Sequence, residues 1–231
     1  MNKLRLFLLF VFVFLNTTAQ NPNSQVIESL KIVSDSITNI KKEISREEFS
    51  KLGYQFIKKL DSIIKRNKNI NNKKNLKKKI RFNLQEIHEI KAKMMLDMMH
   101  YGFGIFENKD SIEYYRNKIL LISKDQETKS KSHGFSAYAH YKLKNSIKSI
   151  QHYNKALQIL EFPENKELRE VQIKILANLN TSLLSLDIIR KAEENYNRLE
   201  ETILDMSSNK NYKRYIELLK IEKSYIFLYE Q

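Results

Sequence analysis

Three histidines are the residues of this chain whose type and spacing could do chemistry. His133 and His140 lie seven residues apart, which places them on one face of a helix, and His152 follows on the next predicted helix. Three imidazoles from two packed helices could bind a metal ion such as zinc. No carboxylate is spaced along the sequence to complete the set. We therefore expect no metal and no cofactor here, and histidines that pack or face solvent.

The motifs of common enzymes are incomplete or missing. His88-Glu89 is not followed by a second histidine four residues after the first, as a zinc protease requires. Gly102-Phe-Gly104 lacks the following glycine, lysine and hydroxyl residue of a phosphate-binding loop. The absence of cysteine excludes disulfides, thiolate metal sites, a cysteine nucleophile and a lipid-modified N-terminal cysteine. We predict that the protein is not an enzyme.

The composition indicates a helical protein with excess positive charge. The 231 residues include only four glycines and two prolines, too few turn residues for an all-β fold. The formal net charge of +14 is typical of proteins with polyanionic partners. The chain is also rich in asparagine and isoleucine, so we attribute most of the lysines to a bias toward Lys, Asn and Ile codons.

Residues 1–19 have the pattern of a secretory signal peptide. Two basic residues precede an unbroken apolar run over 6–15, and Thr17 and Ala19 are small residues at the −3 and −1 positions of a cleavage site before Gln20. Ten apolar residues are too few to span a bilayer, which needs about 20. We predict export to the periplasm, the cell envelope or the outside, with an uncleaved anchor as the alternative.

Residues 20–66 are predicted to form an N-terminal helix pair. Apolar residues recur in steps of three and four over 24–44 and again from Phe49 onward, the pattern of two amphipathic helices. Ser45 with Glu48 three residues later predicts a capping box at the start of the second helix. The pair lacks the repeat pattern described below, so we interpret it as an atypical repeat or a cap.

A basic run separates this pair from the rest of the chain. Lys65–Arg81 contains nine lysines or arginines and no acidic residue, and its asparagines predict a loop over 67–79. Such a run could contact phosphates or anionic lipid headgroups. It has no aromatic residue to stack on bases, and too few apolar residues for a helix lying on a membrane. We favour a solvated loop, and also predict a polar loop over 124–131.

Helix pairs from residue 80 onward must position the histidines. A small residue followed by an aromatic and then a small or apolar residue recurs on the second helix of each pair, and Phe162-Pro163 separates two of the pairs. The second-helix positions that carry this pattern are Ser149, Tyr153, Ala156, Ala192, Tyr196, Leu199 and, in a weaker copy, Tyr115. The corresponding first-helix positions are Ala137 and Leu179.

This spacing resembles the tetratricopeptide repeat. The family pattern is Trp-x2-Leu-Gly-x2-Tyr on helix A, then Ala-x3-Phe and a late proline on helix B. Ala192 matches the family alanine, Tyr196 the phenylalanine and Leu179 the helix-A leucine. The chain departs from the pattern because it has no tryptophan, and because Tyr115, Tyr153 and Tyr196 are 38 and 43 residues apart where the family repeats every 34 or so.

The resemblance implies an all-α fold in which antiparallel helix pairs stack as a right-handed superhelical solenoid over residues 80–231, with an incomplete last repeat. It also implies non-catalytic binding of another protein or peptide on the face lined by the A helices. The partner-binding residues expected on that face are Tyr138, Tyr141, Lys142, Asn178, Asn180 and Thr181. The chain is similar to the sensor part of exported bacterial regulators, and whether it is a piece of a longer regulator stays open.

Two alternatives remain open at this point. One is a polyanion-binding protein that contacts nucleic acid or anionic lipid through residues 65–81. The other is a structural protein that self-associates through its last helix, which we predict to begin at Asn209. The sequence fixes neither the partner nor the oligomeric state.

Overall fold

A computed structural model describes residues 24–71, 84–102 and 109–229. In these residues the chain is all-α, with no strand and with nine α-helices packed in neighbouring pairs. The helices are α1 (Ser24–Asn39), α2 (Arg46–Asn71), α3 (Leu84–Asp97), α4 (Lys109–Ile122), α5 (Gln126–Lys142), α6 (Ser146–Ile159), α7 (Lys166–Leu184), α8 (Ile189–Leu204) and α9 (Tyr212–Tyr229). The predicted signal peptide and residues 72–79 of the predicted basic loop lie outside the described residues.

The described residues form two compact units. The first comprises 24–71 and 84–102 with 121–123, and the second comprises 109–120 with 124–229. Helix α3 therefore belongs to the first unit, although the sequence placed it at the start of the repeat region. The reason is that α2 packs closely against the π-helical turn that follows α3. A Cβ on Gly53 of α2 would lie only 2.7 Å from the sulfur of Met98 in that turn.

The start of α2 confirms the predicted capping box. The Ser45 backbone N–H donates to Glu48 Oε2 at 3.0 Å, and the Glu48 N–H donates to Ser45 Oγ at 3.1 Å. The end of α2 differs from the prediction, because the helix continues to Asn71 where a loop was expected from residue 67. The Asn67 amide donates to the Ile63 carbonyl at 2.9 Å, so this asparagine bonds within the helix instead of breaking it.

The predicted loop over 124–131 is wrong, because α5 begins at Gln126. Asp125 is its N-cap and accepts a bond from the Thr128 N–H at 2.9 Å. Ser130 and Ser132 are fully buried and donate to carbonyls of the preceding turn. The polar pattern predicted a loop, but these hydroxyls are satisfied inside the helix and their small size lets other helices pack against it.

The second unit is built from consecutive helix contacts. Helix α5 packs against α6 and α7, α6 packs against α7, and the same order repeats for α7, α8 and α9. The nine positions that carry the repeat pattern are all buried. The predicted break at Pro163 separates α6 from α7, and Asn165 caps α7 by accepting from the Leu168 N–H at 2.8 Å.

Candidate functional site

The three histidines meet in the second unit. His133 and His140 stand two turns apart on α5, and His152 of α6 lies between them. The His140 and His152 rings are stacked with centroids 5.4 Å apart, and His133 Nδ1 lies 3.2 Å from His152 Nδ1. This is possible because Ala137 and Ser149 are fully buried and let α5 and α6 approach closely.

A glutamate from a third helix joins them. Glu113 Oε1 of α4 lies 3.4 Å from His140 Nε2 and 3.5 Å from His152 Nε2. The expectation that no carboxylate accompanies the histidines is therefore wrong. Glu113 precedes His133 by 20 residues and lies on another helix, so no local spacing in the sequence could indicate it. Its Oε1 is buried, and none of the described residues gives it a hydrogen bond of good geometry.

Arg116 lies one turn after Glu113 on α4 and contacts both Glu113 and His152. Its Nη2 lies 2.7 Å from Glu113 Oε2 and donates to Asn117 Oδ1 at 2.8 Å. Its Nη1 is 2.9 Å from both ring nitrogens of His152. A position equidistant from both nitrogens at this range lies over the ring face. The in-plane lone pairs of His152 therefore remain directed elsewhere.

The imidazoles of the cluster are neutral at pH 7. Burial, followed by the Arg116 guanidinium, lowers the pKa of His152 to about 3 and that of His133 to about 4. Burial also lowers the pKa of His140, against the opposing effect of the Glu113 carboxylate. The close contacts between Glu113 and the histidines are thus not ion pairs, and each imidazole keeps one nitrogen lone pair.

Most of the predicted partner-binding residues lie at the surface of α5 and α7. Tyr138 and Tyr141 are half-buried, and Lys142 is exposed with its Nζ 5.5 Å from the Tyr138 ring centroid. Asn178 and Thr181 are exposed on α7.

Asn180 is different, because it is fully buried. Its amide donates to Glu222 Oε2 of α9 at 3.3 Å, and its Oδ1 accepts from Asn195 Nδ2 of α8 at 2.5 Å. In this structure it joins three helices and does not reach a partner. The neighbouring positions 178 and 181 are exposed, so the error is one of helix rotation, which the sequence pattern does not define.

Large apolar side chains are exposed on α9. They are Ile221, Tyr225, Phe227, Leu228 and Tyr229. Among the described residues, no helix combines the length and apolarity that crossing a bilayer requires.

Comparison with known proteins gives no family assignment, since no family model matches the chain and no curated protein matches it significantly.

Proposed function

We propose that the chain is a non-catalytic scaffold that binds a peptide or protein on the face formed by α5 and α7. The observation that carries the proposal is a polar stripe on an otherwise buried helix. Lys174, Asn178 and Thr181 are exposed at steps of four and three, while most other residues of α7 are buried. A core helix that keeps one accessible polar stripe presents it to solvent or to a partner.

The two helices that form this face are close neighbours. A Cβ on Gly134 of α5 would meet Ile175 Cγ1 of α7 at 3.8 Å. Tyr138 and Tyr141 follow Gly134 by one and two turns, so they lie on the same side of α5 as Gly134, and both rings are half-buried. Tyrosines in this position offer rigid contact area with a polar tip, which suits a binding surface.

The chemistry of the face fits an extended peptide that carries a carboxylate. Asn178 and Thr181 offer polar groups for the peptide backbone, and Lys142 and Lys174 supply positive charge. The consecutive packing of α5 to α9 supports the resemblance to tetratricopeptide repeats and a right-handed superhelical stack, in which A helices form the binding face.

The proposal is tested by selecting peptides from a displayed random library on the purified protein. We expect a recurrent acidic or C-terminal carboxylate motif with an affinity that the double substitution Lys142→Glu and Lys174→Glu reduces at least tenfold. Lys191→Glu makes the same charge change at an exposed position of α8 and serves as the control. Selection of no peptide, or an equal loss in the control, would contradict the proposal.

We also propose that the protein is exported, on the pattern of residues 1–19. N-terminal sequencing of protein from the source cells is expected to begin at Gln20. A chain that still begins at residue 1 or 2 would contradict cleavage at this site.

Self-association through α9 is a second candidate, supported by the exposed apolar side chains of that helix. We expect sedimentation to show a dimer that Phe227→Glu with Leu228→Glu converts to a monomer, because a buried unpaired charge disfavours an interface. A monomer before the substitution would exclude this candidate. The polyanion alternative through residues 65–81 stays a prediction, because most of that run lies outside the described residues.

A further inference from the structure

We propose that Glu113, His140 and His152 bind a divalent transition-metal ion of the zinc type, through Glu113 Oε1 and the Nε2 atoms of the two histidines. These three residues each offer one ligand atom, and the atoms lie within 4.8 Å of one another. The site is distinct from the proposed peptide-binding face, and neither proposal depends on the other.

The distances fit tetrahedral coordination. Zinc bonds to nitrogen and carboxylate oxygen are about 2.0–2.2 Å long, so two ligand atoms at a tetrahedral angle stand about 3.3–3.5 Å apart. The oxygen of Glu113 is 3.4 Å from His140 Nε2 and 3.5 Å from His152 Nε2. The two distances from the carboxylate therefore already suit a shared metal ion. The His140 and His152 rings are stacked at an interplanar angle of 4°, so one ring must rotate to direct both Nε2 lone pairs at the same ion.

The carboxylate lacks the partner that a metal would supply. Glu113 Oε1 is buried, and its contacts with the two imidazoles are too long or misaligned to be hydrogen bonds of good geometry, a condition that is unfavourable for a charged oxygen. The side-chain hydroxyl of Ser136, fully buried on the same face of α5 as the histidines, is likewise without a hydrogen-bond partner in the described structure.

The surrounding residues orient the ligands. Arg116 binds the other carboxylate oxygen of Glu113, which leaves Oε1 for the metal. His133 Nδ1 faces His152 Nδ1, so a proton on His152 Nδ1 can be donated to His133 and leaves the Nε2 lone pair free for coordination. Histidine ligands of metals commonly donate their second ring nitrogen in this way.

The ligand set also selects the kind of metal. Two imidazole nitrogens and one carboxylate oxygen suit zinc, cobalt, nickel or iron, whereas magnesium and calcium prefer oxygen ligands. The Arg116 charge opposes any cation nearby, so binding requires the strong bonds that imidazoles make with transition metals. The Glu113 side chain is 30% exposed, compared with 8% and 10% for His140 and His152, and gives a route from solvent.

Cobalt titration of the untagged, metal-free protein tests this proposal. We expect one Co²⁺ per chain with the intense visible bands of a tetrahedral site, and displacement of Co²⁺ by Zn²⁺. The nearly isosteric Glu113→Gln is expected to weaken binding at least tenfold while circular dichroism stays unchanged, and His140→Gln is expected to do the same. His100→Gln removes an exposed histidine outside the cluster and is the control.

Thermal melting gives a second readout. Zinc is expected to raise the Tm of the wild-type protein and of the His100→Gln control, but not that of Glu113→Gln. Absence of the visible bands would overturn the proposal. It would equally be overturned by binding that is unchanged in Glu113→Gln, or that is lost in the His100→Gln control, since either result would mean adventitious binding.

Discussion

Asn195 of α8 is expected to be one of the most costly polar side chains to remove. It is 8% exposed, and its amide donates to the Leu176 carbonyl at 2.8 Å and to Asn180 Oδ1 at 2.5 Å. Both acceptors belong to α7, the most buried helix of the second unit. The substitution Asn195→Ala therefore cuts a polar link between two packed helices.

The size of the expected loss in stability follows from the buried groups that lose a hydrogen-bond partner when Asn195 is replaced by alanine. The Leu176 carbonyl lies inside a helix and keeps its helical bond, but Asn180 Oδ1 is left without this donor at a fully buried position. An unsatisfied buried acceptor costs about 1–3 kcal/mol, and the lost hydrogen bond itself contributes about 1 kcal/mol. We expect Asn195→Ala to lower the free energy of unfolding by about 2–4 kcal/mol.

Urea unfolding followed by circular dichroism measures this effect through the midpoint at an unchanged m value. Asn197→Ala, an exposed asparagine on the same helix, is the matched control and should change stability by less than about 0.5 kcal/mol. If Asn195→Ala also unfolds within about 0.5 kcal/mol of the wild type, the buried network does not contribute as argued.

Three further results are expected. Tyr196→Ala removes a buried ring and should destabilise the protein by about 3 kcal/mol or more in urea unfolding, and wild-type stability would contradict the packing of this ring. Ala192→Leu overfills a fully buried position and should cost about 1–3 kcal/mol, whereas wild-type stability would contradict the helix pairing. The free energy of unfolding of the metal-free protein should fall by about 2–4 kcal/mol between pH 7 and pH 5. In the folded state His133 and His152, with pKa about 4 and 3, stay neutral over this range, whereas in the unfolded chain the same imidazoles, with pKa about 6.5, become protonated. The raised pKa of buried Glu222 has the opposite effect, since it favours the folded state as the pH falls. Stability that does not change between pH 7 and pH 5 would contradict the burial of His133 and His152 as neutral groups.

Features set by neighbours in the sequence were predictable. The capping box at Ser45 and Glu48, and the break at Pro163, depend on contacts within a few residues, so composition and spacing indicate them directly. The stripes of α1 and α2 are likewise periodic enough to indicate amphipathic helices. The all-α class follows from these patterns and from the scarcity of turn residues.

Features that depend on tertiary contacts were not predictable. The N-terminal half of α5 has buried serines in place of an apolar stripe, so its sequence resembles a loop. Glu113 joins the histidines only because a separate helix brings it there, and Asn180 is buried because of the rotation of α7. In each case the deciding partner is distant in the sequence, and local propensity carries no information about it.

Photo-crosslinking in the source cells tests whether the face formed by α5 and α7 binds a partner. Tyr138 is replaced by a photoreactive phenylalanine analogue in the source cells, and Asn197, exposed on α8, receives the same group as the control. We expect a discrete crosslinked protein or peptide from position 138 only, and its loss when Lys174→Glu is added. Equal products from both positions, or none from position 138, would contradict binding on the face of α5 and α7.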